Sequence, residues 1–268
     1  MERFANRRQQ LTRSARGVPT PRPARSHLSR GRTIQYLENR ILSALPSEDF
    51  SRLERHLAST PLVYKQSVSK ASEPITQICF PDSGVCSVMA VMRTGAAAEV
   101  GTIGNEGVTG VALFFGDDSE PSESMIQVPG KGRMLPAGVF RDELERRGAL
   151  HRLVGHYAHA LMIQVMQSAA CNALHPIEKR ACKWLLMTHD RVFTNEFTLT
   201  HEFLSMMLGV TRPMVSGVAE RLQRDGLIRY RRGHVTILNR ERLEKSTCEC
   251  YATVTRAFDA FLKRLEPH

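Results

Sequence analysis

Arg212, Ser216, Arg231, Arg232 and His234 are the residues whose types and spacing suit a definite chemistry: hydrogen bonding to the base edges and phosphates of duplex DNA. Arg212 and Ser216 are four apart, so on a helix they share a face that a major groove could admit and would turn toward bases. Arg231, Arg232 and His234 surround a glycine, where a tight turn would hold cations against a polyanion. With Thr211 they are expected to hold phosphates, contacts that make binding salt-dependent. Thr200 and Pro213 complete the candidate DNA-binding set.

These residues need elements to position them. Thr200 can cap a first helix, with Glu202 in its first turn and Phe203, Leu204, Met207 and Leu208 on one buried face. Gly209 ends that helix. Thr211 caps a second, in which Pro213 occupies the first turn and Val215, Val218, Ala219 and Leu222 face inward. Gly226 stops it. Leu227 to Tyr230 and Val235 to Leu238 read as two strands joined by Arg231 to His234, and Asn239 can cap a further helix. A basic helical subdomain for protein contacts is the competing reading.

The segments LGVTRPMVSGVAERLQRDGLI, RYRRGHVTIL and NRERLE, with HPIEKRACKWLL upstream, resemble the C-terminal winged helix–turn–helix of the Crp/Fnr bacterial transcription regulators. The resemblance is specific there and looser before residue 140, covering roughly residues 33 to 248. It departs inside the recognition helix. Arg212 matches, but Pro213 and Gly217 replace the other base-reading positions, so no operator sequence carries over.

Net charge is +10, yet residues 1–32 hold nine Arg and one Glu, leaving about +2 for the rest. That stretch lacks apolar periodicity and is expected to be a disordered basic tail. No apolar run approaches the ~20 residues of a membrane span, and there is no secretory h-region. Six Cys in 268 residues then suit a reduced, cytoplasmic chain. No P-loop, G-x-S-x-G or H-E-x-x-H motif occurs, so an enzyme is not expected.

Thr33 to Leu57 is helical in pattern. After Pro61 the period becomes two, and strands are expected at Leu62–Tyr64, Ile75–Phe80, Val85–Met92, Ala97–Ile103, Thr109–Phe114, Met125–Val128 and Arg133–Leu135. This predicts an antiparallel, jelly-roll-like β-roll over 33–140, similar to that of cyclic-nucleotide-binding regulators. Where the resemblance would put a phosphate-binding Arg, the chain has Ser122 beside Glu123, so cyclic AMP is not expected. Residues 1–78 contain no Cys, which speaks against a cluster of the family's oxygen-sensing type. Cys79 and Cys86, on adjacent candidate strands, could approach each other. Cys248 and Cys250 form a close pair, but two ligands do not close a tetrahedral site, and no metal or cofactor is predicted. His156 and His159 could share a helix face and suit a metal or haem, but a polar helix flank is the commoner explanation.

Residues 141–173 are expected to form a dimerisation helix, with Leu150, Val154, Tyr157, Leu161, Gln164 and Ser168 as the coiled-coil seam. The alternative is one helix packed on its own β-roll. The expected whole is α+β: the β-roll, the long helix, a winged helix–turn–helix over 174–248 and a C-terminal helical extension over 249–268. The resemblance implies a homodimer that binds near-palindromic double-stranded DNA, with RNA polymerase a candidate partner and no membrane involvement. The other reading is a small-molecule or redox sensor whose DNA contact is non-specific.

Overall fold

The structure is a computed structural model that describes residues 38–192 and 194–266. The expected basic tail lies outside them. Asn39 lies near the start of the described residues. Its side-chain oxygen accepts from the amides of Ile41 and Leu42, capping α1 (Arg40–Ser43), while Nδ2 donates to Pro81 and Gly107 carbonyls at 2.9 Å each. One buried amide thus caps a helix and ties it to the β-roll. Of the expected helical pattern over 33–57, residues 33–37 lie outside the described residues, and the rest contains α1 and α2 (Ser47–Glu54), divided at Pro46, which removes a donor.

Two antiparallel sheets form the roll. One has order β1 (Ala58–Leu62), β7 (Gly130–Pro136), β3 (Gln77–Pro81). The other has order β2 (Ser67–Ser69), β6 (Ser122–Val128), β4 (Val85–Val91), β5 (Ala97–Ile103). The expected first strand at Leu62–Tyr64 lies earlier, and β2 was not foreseen. Thr109–Phe114 is not a strand. Gly110 and Gly116, both at positive φ, bracket a 3-10 turn at Val111–Phe115. Cys79 and Cys86 lie on β3 and β4, in different sheets and wholly buried. Burial pushes the Cys79 thiol up to about 12, so the reactive thiolate is disfavoured.

The long helix is also divided. α3 (Ala137–Glu145) ends before Arg147 and Gly148, and α4 (Ala149–Leu174) begins after them. Arg147 has φ of +54°, which a continuous helix cannot contain. The expected seam on α4 turns inward. Leu150, Val154, Tyr157 and Gln164 are fully buried within this one chain, and Leu161 and Ser168 are half-buried. Gly107 lets the roll approach α4: a Cβ there would meet the Tyr157 ring at 2.5 Å. Across Tyr157 lie Phe258 and Phe261 of α9 (Glu249–Lys263), a C-terminal helix folded back onto α4. A 3–4 spacing marks a buried stripe whether its cover is a twin helix or the chain itself, and here the chain itself covers much of it. The outward stripe of α4 is His159, Met162, Met166, Ala169 and Ala173, with Met162 and Met166 each about half exposed.

Among the described residues, no helix is long and apolar enough to cross a membrane.

Candidate nucleic-acid interface

The C-terminal module is built as its local chemistry demands. α5 (Ile177–His189) supplies Ala181, Trp184 and Leu185 to a core shared with Phe203, Val215 and Leu222. Thr200 caps α6 (His201–Leu208), its hydroxyl accepting from the Phe203 amide at 3.1 Å. Gly209 ends α6 at φ of +62°. The Arg180 guanidinium donates to the Leu208 carbonyl, satisfying an end of α6 from a neighbouring helix. Thr211 stands at the start of α7 (Arg212–Arg224), with Pro213 in the first turn. The Thr211 side chain makes no capping bond and is exposed, leaving its hydroxyl outward.

The wing has three strands rather than two: β8 (Glu196–Thr198), β10 (His234–Ile237) and β9 (Ile228–Arg231), in that order. The three-residue β8 was too short to read as a strand. The connection from β9 to β10 is two residues, Arg232 and Gly233, at φ of +51° and +78°. Positive φ at both is the turn that matches strand twist, and it holds Arg232 at the tip. α8 (Arg240–Ser246) follows, capped by Asn239.

Arg212, Pro213, Arg231, Arg232 and His234 are all exposed. Arg229, Arg231, Arg232 and His234 line one shallow groove with Glu196, whose carboxylate lies 3.8 Å from His234 Nδ1. Ser216 is placed differently. Its hydroxyl donates to the Arg212 carbonyl at 3.2 Å and lies 3.0 Å from His201 Nδ1, so it is engaged within the domain.

Sequence reasoning passed over His201, which joins the two halves of this face. It hydrogen-bonds Ser216 on α7 and stacks on Tyr230 of β9, with centroids 4.4 Å apart. Burial, and then the Arg212 cation, lower its pKa and favour the neutral ring. Its two neighbours lie far along the chain, so no local pattern marks it. Met214, also passed over, is about half exposed beside Arg212 and offers an apolar surface suited to a thymine methyl. The wing tip closes the face: the Leu199 amide donates to the Gly233 carbonyl at 2.8 Å, beside Thr200.

The module is packed on the β-roll. Val85, Met89 and Val128 of the roll share its core, and Tyr64 packs on Phe203 at 5.5 Å between centroids. Between them runs a buried polar chain: Glu99 accepts from the Ser87 hydroxyl at 2.6 Å, and Gln127 donates to Thr188 at 2.9 Å.

A compact helix–turn–helix with a three-stranded wing, joined by a long helix to an antiparallel roll, defines a DNA-binding protein with an appended β-roll module. Residues 179–246 match the Crp-like helix-turn-helix domain. No curated protein matches the chain in sequence. Solved structures share its fold. One is assigned as a transcriptional regulator of the Crp/Fnr family from Eubacterium rectale (TM-score 0.61, 16% identity, covering 76% of this chain and 96% of that one). Another is FixK2 from Bradyrhizobium japonicum (TM-score 0.60, 12% identity, 72% and 98%). A third is the c-di-GMP responsive global regulator CLP from Xanthomonas campestris (TM-score 0.56, 16% identity, 72% and 100%). The chain thus carries a Crp-like helix-turn-helix domain over residues 179–246 and shares its overall fold with these regulators.

Proposed function

We propose that this chain binds near-palindromic operator DNA as a homodimer in the cytoplasm, with the β-roll as its regulatory module and RNA polymerase as a candidate protein partner. The observation that supports this reading is that Arg212 and Met214 on α7 and Arg231, Arg232 and His234 on the wing are exposed, while His201 ties α7 to β9 through Ser216 and Tyr230. The start of α7 would enter the major groove, and the wing cations would meet flanking phosphates.

The dimer contact falls on the outward stripe of α4. Met162 and Met166 are apolar, exposed and flanked by Ala169 and Ala173, small residues that permit close helix approach. Gly155, earlier on the same stripe, is covered by Phe114, whose neighbour Phe115 is exposed and extends the apolar band. Two-fold pairing there would present two α7 helices to half-sites about one helical turn, ~34 Å, apart.

The roll is proposed to work without cyclic AMP. Ser122 and Glu123 stand on β6 where the resemblance calls for a phosphate-binding Arg. Glu106, in the turn after β5, is already engaged by Arg191.

Selection of genomic DNA fragments by the purified full chain tests the proposal. The expected result is a two-fold symmetric motif that Arg212→Ala blurs. Binding without any motif, equally sensitive to salt at every site, would overturn it.

A further inference from the structure

Cys171 and His175 are four apart at the end of α4, while Cys248 and Cys250 flank Glu249 where α9 begins. The fold-back of α9 brings all four together. One ligand atom from each, three Sγ and an imidazole nitrogen, lies within 4.8 Å of all the others. Cys171 Sγ is 3.6 Å from Cys248 Sγ, and Cys250 Sγ is 3.4 Å from His175 Nδ1. The three thiols are buried as a small cluster of their own, apart from both hydrophobic cores.

Those spacings match a tetrahedral ion. With Zn–S of ~2.3 Å and Zn–N of ~2.0–2.1 Å, ligand sulfurs lie about 3.8 Å apart and sulfur and nitrogen about 3.6 Å. A disulfide between Cys171 and Cys248 would need sulfurs at ~2.05 Å and would leave His175 and Cys250 without a part. Packing alone has no use for an imidazole among thiols. An iron–sulfur cluster binds its ligands to different irons and needs them more widely spread.

The surroundings are those of a ligand set. His175 turns Nδ1 toward Cys250 and Nε2 toward the Glu249 carboxylate, 3.3 Å away. A carboxylate on the far nitrogen is the usual way a metal-binding imidazole is oriented. Gln167 Nε2 lies 3.2 Å from Cys250 Sγ as a donor. Three thiolates on a divalent ion leave one negative charge, and Arg180 and Lys183 line the same cavity as Cys171.

We propose that Cys171, His175, Cys248 and Cys250 form a Cys3His site for a single zinc ion. Thiolate and imidazole in a closed tetrahedron select this metal. The ion would pin the first turn of α9 to the last turn of α4, at the joint where α5 and the helix–turn–helix module begin. It would therefore fix how that module leaves the long helix.

The test uses the full chain, purified under reducing conditions without chelator. One zinc per chain is expected by elemental analysis. Exchange for Co(II) should give the intense visible bands of tetrahedral thiolate coordination. Cys171→Ser and Cys250→Ser should lose ion and bands, while Cys182→Ser, a buried thiol outside the cluster, keeps both. Reduced wild-type protein that takes up neither zinc nor Co(II) would overturn the site, and this readout does not depend on how the variants fold. Serine variants that retain a full equivalent of zinc would overturn it equally, as would a Cys171–Cys248 disulfide in protein handled without air.

Discussion

Arg191 Nε donates to Glu106 Oε1 at 2.8 Å, with both side chains only 8% exposed. The pair joins the end of α5 to the turn after β5, so it bridges the helix–turn–helix module and the β-roll. The same guanidinium donates to the Met187 carbonyl at 2.9 Å and lies over the Phe258 ring of α9, 5.2 Å from its centroid. One buried cation therefore links three elements: α5, the turn after β5 and α9.

Removing one partner of a buried pair leaves an unpaired charge, which typically costs about 3–5 kcal/mol. Arg191→Met is expected to lower urea stability by that order. Arg191→Met combined with Glu106→Gln should recover part of the loss, because neither charge is then left alone. A double variant as unstable as the sum of the singles would mean that the two residues act independently.

On DNA, Arg212 and Arg232 should fail in different ways. Arg212→Ala is expected to relax base preference, at about 1–3 kcal/mol for the preferred site. Arg232→Asn keeps a residue that tolerates φ of +51°, so the turn survives while the charge goes. It should weaken all sequences alike and lower the salt slope by about one. Fluorescence anisotropy over a salt series separates the two, and identical behaviour would put Arg212 on the backbone rather than on bases.

Burial raises the Glu99 carboxyl to about 7, against the pull of the Ser87 hydroxyl and of Lys183 and Arg191. The ordinary value is 4.5, so between about 4.5 and about 7 the folded chain holds a proton that the unfolded chain has lost. This contribution to stability is present at the acid end and declines as pH rises through that window. Glu99→Gln should therefore stabilise the protein at pH 8 by about 1–3 kcal/mol and change little near pH 5. Thermal melts at the two pH values decide it; an equal shift at both would place the carboxyl in water.

The two faces of α4 should also separate. Met162→Glu with Met166→Glu is expected to convert a dimer to a monomer in sedimentation while the melting temperature of the monomer holds. Leu150→Ala, on the buried face, should instead destabilise the chain by about 2–5 kcal/mol. A dimer that survives the Met pair but dissociates with Leu150→Ala would restore the inward seam as the interface.

What the sequence determined by itself was local. The Thr200 cap, the Gly209 and Gly226 stops, the helical faces of α6 and α7 and the wing turn all depend on residues within a few positions of each other, so propensity and period decide them. Most strands of the roll were legible for the same reason. The 3-10 turn at Val111–Phe115 was not, because its apolar run suits a strand until two glycines at positive φ bend the backbone. Tertiary structure decided which stripe of α4 is covered, since period alone does not name the covering surface. It also decided every relationship across distance: His201 between Ser216 and Tyr230, Arg191 on Glu106, and Cys171 and His175 beside Cys248 and Cys250. These groups meet because α9 folds back on α4 and the wing closes on α7, and burial then sets their chemistry by removing water from between them.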